Sequence, residues 1–467
     1  MSEHPGGDGL RAATKKMRAD GQPGEAVRTF ANAYQALRAG ASGTLPDRDI
    51  EPVRDVVALD DLPAHDPAEA LDRVAVIKLN GGLGTSMGMT RAKSLVEARE
   101  GLSFLDVIAR QTLALRARHG IRLPLVLMNS YRTRDDSLAA LARYPDLPAD
   151  VPLDFLQHRE PRIRADDLTP VRWPADPELE WAPPGHGDLY PALRSSGMLD
   201  ALLDRGYTHA FVSNADNLGA VLAPRLLAWV AAERVPFAME VVTGTEADRK
   251  GGHIARRLAD GRLVLRETAQ ADDLASFRDY RRWRHYNTNN LWIDLRALAA
   301  LLDAGGGTID LPLIVNRKRV AGYDPASPEV VQLESAMGAA IGAFDGARAL
   351  GVPRSRFAPV KTTDDLLVLR SDVYRLTDDA RLERSPERTD EPYVALDPEH
   401  FARLSAFDAR FPHGPPSLVH CDRFVVRGDV TFGAGVVARG DVEVVAEGGA
   451  MTIPDGALLS GVGSQAR

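Results

Sequence analysis

The sequence predicts an α/β protein with a mixed, mainly parallel sheet and a small parallel β-helical module near its end. Three observations carry this. Between residue 71 and about residue 370, short aliphatic and β-branched runs alternate with helically spaced apolar residues, as in strand–helix–strand crossovers. The segment Val74–Leu79 reads as a buried strand and runs directly into the turn Gly81-Gly82-Leu83-Gly84. Near the end, Arg427-Gly428-Asp429-Val430 recurs twelve residues on as Arg439-Gly440-Asp441-Val442, amid short Val-rich segments separated by Gly.

In chain order, residues 1–70 read as an N-terminal extension: Gly24–Leu37 carries apolar residues at helical spacing, and a polar, Pro-containing linker follows. Residues 71–370 form the α/β unit. Its clearest strands are Val74–Leu79, Leu123–Met128, His209–Ser213 and Pro236–Val242. Ligands of such sheets gather beyond the carboxyl ends of the strands, so polar motifs that follow strands are the candidates for function. Residues 371–467 form a C-terminal domain. Twelve is twice six, which suits hexapeptide turns of a parallel β-helix. Two turns do not stand alone, so the module is expected to rest on the core or on another subunit, and its Arg-Gly-Asp triplets read as repeat corners rather than adhesion signals.

The 467 residues suffice for two or three domains, with hydrophobic and charged contents (44% and 26%) ordinary for a globular protein. The net charge of −8 argues against a nucleic-acid or anionic-membrane binder, while local lysines can still serve a small anionic substrate. One cysteine, Cys421, allows no intramolecular disulfide. No apolar run approaches a membrane span, and Met1–Pro5 is too polar for a signal peptide, so a cytoplasmic location is expected.

The glycine turn nearly fits two phosphate loops. A Walker loop needs Lys directly after its second Gly, and Met89 follows Gly88. A dinucleotide fingerprint starting at Gly82 needs Gly where Met87 stands. What remains is a strand, a turn whose N–H groups can converge on an anion, and Lys93 a few residues on; a simple Gly-rich exit from a core strand is the plainer alternative.

Six other segments compete with structural explanations. Pro183-Pro184-Gly185-His186-Gly187-Asp188 reads as a loop that admits a flat base and lets His186 reach a phosphate, or as a turn in which Asp188 caps a helix running to Leu203. Asn214-Ala215-Asp216-Asn217, at a strand's carboxyl end, offers Asp216 to Mg²⁺, an ion that takes one or two protein oxygens and the rest from phosphates and water; an Asx-turn is the alternative. Asn287, Asn289 and Asn290 suit sugar hydroxyls or a tight turn, and Glu267, after Leu263–Leu265, is a sugar acceptor or a surface acid. Lys361, after Phe357-Ala358-Pro359-Val360, is by itself an ordinary solvent-facing lysine, and Gln332–Ile341 reads as a small-residue core helix.

Taken in order, KLNGGLGTSMG at 78–88, PPGHGDLYP at 183–191, VSNADNLGA at 212–220, NTNNLW at 287–292, QLESAMGAAI at 332–341 and RFAPVKTTDDLL at 356–367 resemble the UTP–glucose-1-phosphate uridylyltransferases (UDP-glucose pyrophosphorylases) of the eukaryotic type. The resemblance covers nearly everything after residue 71. It implies a Rossmann-like nucleotidyltransferase core, a left-handed C-terminal β-helix, and transfer of uridylyl from UTP to α-D-glucose 1-phosphate, giving UDP-glucose and pyrophosphate with Mg²⁺. Carried over by position, it puts Leu79, Asn80, Gly81, Gly82, Gly84 and Thr85 along the nucleotide, Gln157 and Gly185 on uracil, and Lys93 on the UTP phosphates. It puts His186 and Asn214 near sugar and phosphate, Asp216 on Mg²⁺, Glu267 and Asn289 on glucose hydroxyls, and Lys361 on glucose 1-phosphate, with Lys93 and Lys361 the catalytic pair. The chain departs from the pattern at Ala92, where the family has Pro; this frees an N–H and a fixed φ. Rival readings are a UDP-sugar or UDP-N-acetylhexosamine pyrophosphorylase and, more remotely, a non-catalytic sugar-nucleotide-binding protein; an NAD-dependent dehydrogenase is weaker still, given the broken fingerprint. A monomer, or a homo-oligomer through the C-terminal domain, is expected.

Overall fold

The structure, a computed structural model, describes residues 6–322 and 324–462. Its centre is a sheet whose main path uses β1 (Val57–Ala58), β2 (Val74–Asn80), β3 (Leu125–Asn129), β4 (Asp154–Leu156), β5 (His209–Asn214), β6 (Phe237–Thr243), β7 (His285–Asp294) and β8 (Arg348–Gly351). The order across the sheet is β1-β8-β6-β7-β5-β2-β3-β4. All neighbours on this path are parallel except β7, which runs antiparallel to both β5 and β6.

The strands read as continuous apolar runs because both faces are covered. Side chains alternate along a strand, so Val74 and Val76 of β2 and Phe211 of β5 enter one core, while Ala75, Ile77, Ala210 and Val212 enter the other. The first core continues without a break into the C-terminal residues through Phe401, Phe407 and Phe424. Helix Phe104–His119 shows how the crossovers are fixed: Ser103 and Asp106 form a reciprocal capping box, and Gly120 at φ +64° closes the other end. Among the described residues, no helix is long and apolar enough to cross a membrane.

Four sequence expectations change. The helix over Gly24–Leu37 is present as Gly24–Arg38, but the linker after it is woven into the core. Ile50–Pro52 pairs antiparallel with His253–Arg257, and β1 is an edge strand of the central sheet. Strands of two or three residues show no periodicity in sequence, so they were invisible there. The helix expected from Asp188 to Leu203 is two helices, Leu189–Ser195 and Met198–Asp204, separated at Gly197 with φ +76°. The expected helix over Gln332–Ile341 is the end of a strand, Glu329–Glu334, followed by a 3₁₀ turn, Met337–Gly342.

The fourth concerns the C-terminal repeat. Strands β9 (Tyr393–Leu396), β10 (Ser417–Arg427), β11 (Val437–Val445) and β12 (Leu458–Val462) stack in parallel, and Val430–Phe432 pairs in parallel with Met451–Ile453. Phe424 faces Val442, so the stacking step there is eighteen residues rather than twelve. The two Arg-Gly-Asp triplets therefore do not lie above one another. Their glycines do share positive φ, +82° at Gly428 and +62° at Gly440.

Candidate active site

The glycine turn leaves the carboxyl end of β2 in the middle of the sheet. Gly84 and Gly88 adopt φ +60° and +71°, values that L side chains rarely take, and the turn closes when Lys93 N–H donates to the Gly82 carbonyl at 3.0 Å. Asn80 anchors it from below. Its side-chain amide donates to Asn129 Oδ1 (2.7 Å) and Ser137 Oγ (2.8 Å), and its oxygen accepts from Ser94, the neighbour of Lys93. What Asn80 offers a nucleotide is thus main chain rather than side chain. Leu79 also works through its backbone, its carbonyl accepting Ala215 N–H at 3.1 Å. Thr85 is exposed on the turn. A Cβ on Gly82 meets nothing within 4 Å among the described residues, whereas one on Gly81 collides with the Gln157 amide at 2.4 Å. Gly82 faces open space, and Gly81 and Gln157 are in contact.

Adjacent β5 delivers Asn214, paired with Leu79, and then Asp216. Lys93 Nζ lies 2.6 Å from Asp216 Oδ2, with the two side chains 15% and 21% exposed. The other oxygen, Oδ1, is buried and has no hydrogen-bond partner among the described residues. A buried, unpaired carboxylate oxygen is costly unless something binds it. Lys361 arrives on a segment zipped onto this turn: Asn217 bridges Pro359, Ala358 N–H donates to Asn217 Oδ1 (3.0 Å), and Val360 N–H donates to the Asp216 carbonyl (3.1 Å). Helix Thr363–Arg370 begins just beyond, capped by Thr362 and Asp365.

Glu267 follows strand Leu263–Arg266. Burial raises its pKa and the charge of Lys361 opposes that rise, which puts the lysine within electrostatic reach of this acid. Gly252 makes room for Glu267, since a Cβ there falls 2.6 Å from a carboxylate oxygen, and the Gly252 carbonyl accepts Asn287 N–H from β7 at 2.9 Å. Two residues on, Asn289 sits at φ +59°, a conformation Asn tolerates better than most, held by a reciprocal pair of 2.8 Å bonds with Asn287. Glu267 and Asn289 therefore share one neighbourhood. Asn290 is directed elsewhere, into the protein interior, where it donates to Glu240.

The loop at 183–188 is fastened to residues 335–337. Ser335 N–H donates to the Pro184 carbonyl (3.0 Å), Gly187 N–H donates to the Ser335 carbonyl (2.9 Å), and Met337 N–H donates to His186 Nδ1 (3.0 Å). That last bond puts the ring proton on Nε2, and burial pulls the His186 pKa down to about 4. His186 is thus a neutral hydrogen-bond donor, not a cation. Asp188 makes no side-chain cap to the helix that follows and is buried: its Oδ2 accepts His158 N–H at 2.6 Å, and its Oδ1 lies 2.7 Å from His158 Nδ1. This staple ties His158, the neighbour of Gln157, to the 183–188 loop. Sequence reading missed His158, Lys78, Glu240 and Arg356. Lys78 and Arg356 lie inside quoted motifs, but nothing in the sequence says that they are buried.

The model of the UTP–glucose-1-phosphate uridylyltransferase family matches residues 27–439. The chain belongs to this family. Among uridylyltransferases of the family, that of Solanum tuberosum is 42% identical over 406 residues, covering 85% of this chain and 83% of its own. The Saccharomyces cerevisiae enzyme is 41% identical over 397 residues, covering 84% and 78%. The open and closed structures of UDP-glucose pyrophosphorylase from Leishmania major match with a TM-score of 0.93 at 44% identity over 98% of this chain and 99% of theirs. A serine-to-tryptophan variant of the Leishmania enzyme, solved in complex with UDP-glucose, matches equally well, with a TM-score of 0.93.

Proposed function

We propose that this chain is a UTP–glucose-1-phosphate uridylyltransferase that joins UTP and α-D-glucose 1-phosphate into UDP-glucose and pyrophosphate, reversibly. The observation that carries the reading is the convergence of the Lys93–Asp216 pair, the open Gly82 turn and the Lys361 segment at the carboxyl ends of β2 and β5, in a chain about 40% identical to named enzymes of this activity over most of its length.

The phosphate monoester of the sugar is already anionic near neutral pH and needs no strong base. Its oxygen attacks the α-phosphorus of UTP in line, and pyrophosphate leaves from the opposite side. The obstacle is two anions meeting. Lys93 neutralises the UTP phosphates, Lys361 holds the sugar phosphate, and the turn's N–H groups face the nucleotide, each such preorganised contact being worth roughly 3 kcal/mol. The neutral His186 donates from Nε2 without adding charge. Gln157 and Gly185 hold uracil, Asn214 sits near sugar and phosphate, and Glu267 and Asn289 hold glucose hydroxyls. The donor set fits Mg²⁺, an ion held by one or two protein oxygens with phosphates and water supplying the rest: Asp216 presents an unpaired buried oxygen. Bound there, Mg²⁺ supplies charge neutralisation on the phosphates. We read the C-terminal strands as a left-handed parallel β-helix, supported by the parallel stacking of β9 to β12, and the protein as cytoplasmic, monomeric or self-associating through that module.

The test is pyrophosphate release from UTP and Mg²⁺ with the 1-phosphates of glucose, galactose and N-acetylglucosamine. Fastest turnover with glucose 1-phosphate is expected. Preference for another sugar points to the related pyrophosphorylases, and no release with any of the three refutes the enzymatic reading.

A further inference from the structure

Beneath the Asp216 turn lies a buried polar cluster that the proposed chemistry does not use. Glu240, in the middle of β6, is fully buried. Its carboxylate receives a two-pronged contact from Arg356, Nε to Oε2 at 2.7 Å and Nη2 to Oε1 at 2.6 Å, together with Asn290 Nδ2 at 3.0 Å and Trp292 Nε1 at 2.9 Å. Arg356 spends its remaining prong on the Val221 carbonyl at 2.9 Å. Its own carbonyl accepts from Asn217 Nδ2 (3.1 Å) and Asn290 Nδ2 (3.2 Å). Below, Lys78 Nζ donates to Ser213 Oγ (2.7 Å) and the Ala220 carbonyl (2.8 Å), clamping both ends of the turn that presents Asp216.

We propose that Glu240 and Arg356 form a strut that sets the spacing between Asp216 and Lys361, and so are positioning residues for the transfer; this rests on the function proposed above. The strut ties the sheet (β6 and β7) to the 217–221 turn on one side and to the 356–361 segment on the other. Those are the two segments whose relative placement brings the nucleotide half and the sugar-phosphate half of the site together. Backbone approach is close there: a Cβ on Gly219 falls 2.4 Å from the Ser355 carbonyl oxygen, so the two segments touch where Gly219 has no side chain. Stability does not explain such a cluster, because a buried ion pair is often no better than an apolar pair of the same volume. What it provides is direction: a bidentate fork fixes both distance and angle. Two reactants held slightly out of line lose rate steeply, by around a hundredfold for a shift of about 1 Å.

The test uses the full chain. Glu240→Gln keeps shape and removes the charge that holds Arg356. Its kcat/KM for glucose 1-phosphate is expected to fall roughly 10- to 100-fold, while UTP binding by calorimetry stays within about threefold of wild type. Removing both charges, in Glu240→Gln/Arg356→Met, is expected to restore the melting temperature without restoring turnover. Arg356→Lys keeps the charge but loses the fork, and is expected to repeat the kinetic pattern even if Glu240→Gln is too unstable to purify. Normal turnover in Arg356→Lys, recovery of turnover together with melting temperature in the double variant, or parallel loss of UTP binding each overturns the strut. A wild-type chain that releases no pyrophosphate overturns the function reading instead, so the two failures are distinct.

Discussion

Gly185→Ala puts a methyl group against backbone that has nowhere to go. Gly185 has φ +79° and ψ 175°, a region open in practice to glycine alone, where a side chain costs roughly 1–3 kcal/mol. The added Cβ falls 2.4 Å from the Ser335 carbonyl oxygen and 2.8 Å from its nitrogen. Neither atom is at the end of a flexible side chain, and Ser335 is tied by its 3.0 Å and 2.9 Å bonds to Pro184 and Gly187. Relief means breaking those two bonds, at about 1 kcal/mol each. The loop therefore loses roughly 2–3 kcal/mol of preference for its present shape, or roughly 30- to 140-fold in a conformational equilibrium at 1.4 kcal/mol per decade. Calorimetric titration with UTP and Mg²⁺ is expected to show weakening of about that size, with only a modest fall in melting temperature because the rest of the core is untouched. Gly82→Ala is the control: its Cβ meets nothing within 4 Å among the described residues, so stability should not change while nucleotide affinity falls. A Gly185→Ala protein that binds UTP within threefold of wild type would refute the reasoning.

Lys361→Ala is expected to lose on the order of a hundredfold in turnover, about 3 kcal/mol, while retaining UTP binding; near-normal steady-state rates would remove its assigned role. Acid lability should carry a histidine signature. Burial pulls the pKa of His186 down to about 4 and that of His253 to about 3, both from 6.5, so between those values the unfolded chain takes up protons the folded chain refuses. Their contribution is whole above pH 6.5 and drains away as pH falls through that window. His253→Phe, which keeps the ring stack on Trp283, should flatten the slope of urea-unfolding free energy between pH 6.5 and 4, and an unchanged slope would contradict it. Ala92→Pro should raise stability by about 0.4–1 kcal/mol, since Ala92 already has φ −54°, within the range of proline; a lower melting temperature would show that the ring does not fit this buried position.

Much of this was legible in the chain itself. Continuous apolar runs such as Val74–Leu79 announced strands covered on both faces, and the glycines after them announced a turn with positive-φ backbone, because both signals are local. Six motifs in one order sufficed for the family. Asn80 and Asp188 show where that reading stopped: both stand in polar motifs, yet one is turned into a buried amide network and the other is stapled to His158. The strands at 50–52 and 57–58, the eighteen-residue step from Phe424 to Val442 and the pairing of Glu240 with Arg356 were equally hidden. The sequence by itself determined the longer strands of the central sheet and which chemical groups follow them. Only the tertiary structure decided which of those groups face open space and which are spent on each other, because burial and pairing depend on segments far apart in the chain, such as Glu240 and Arg356, meeting in space.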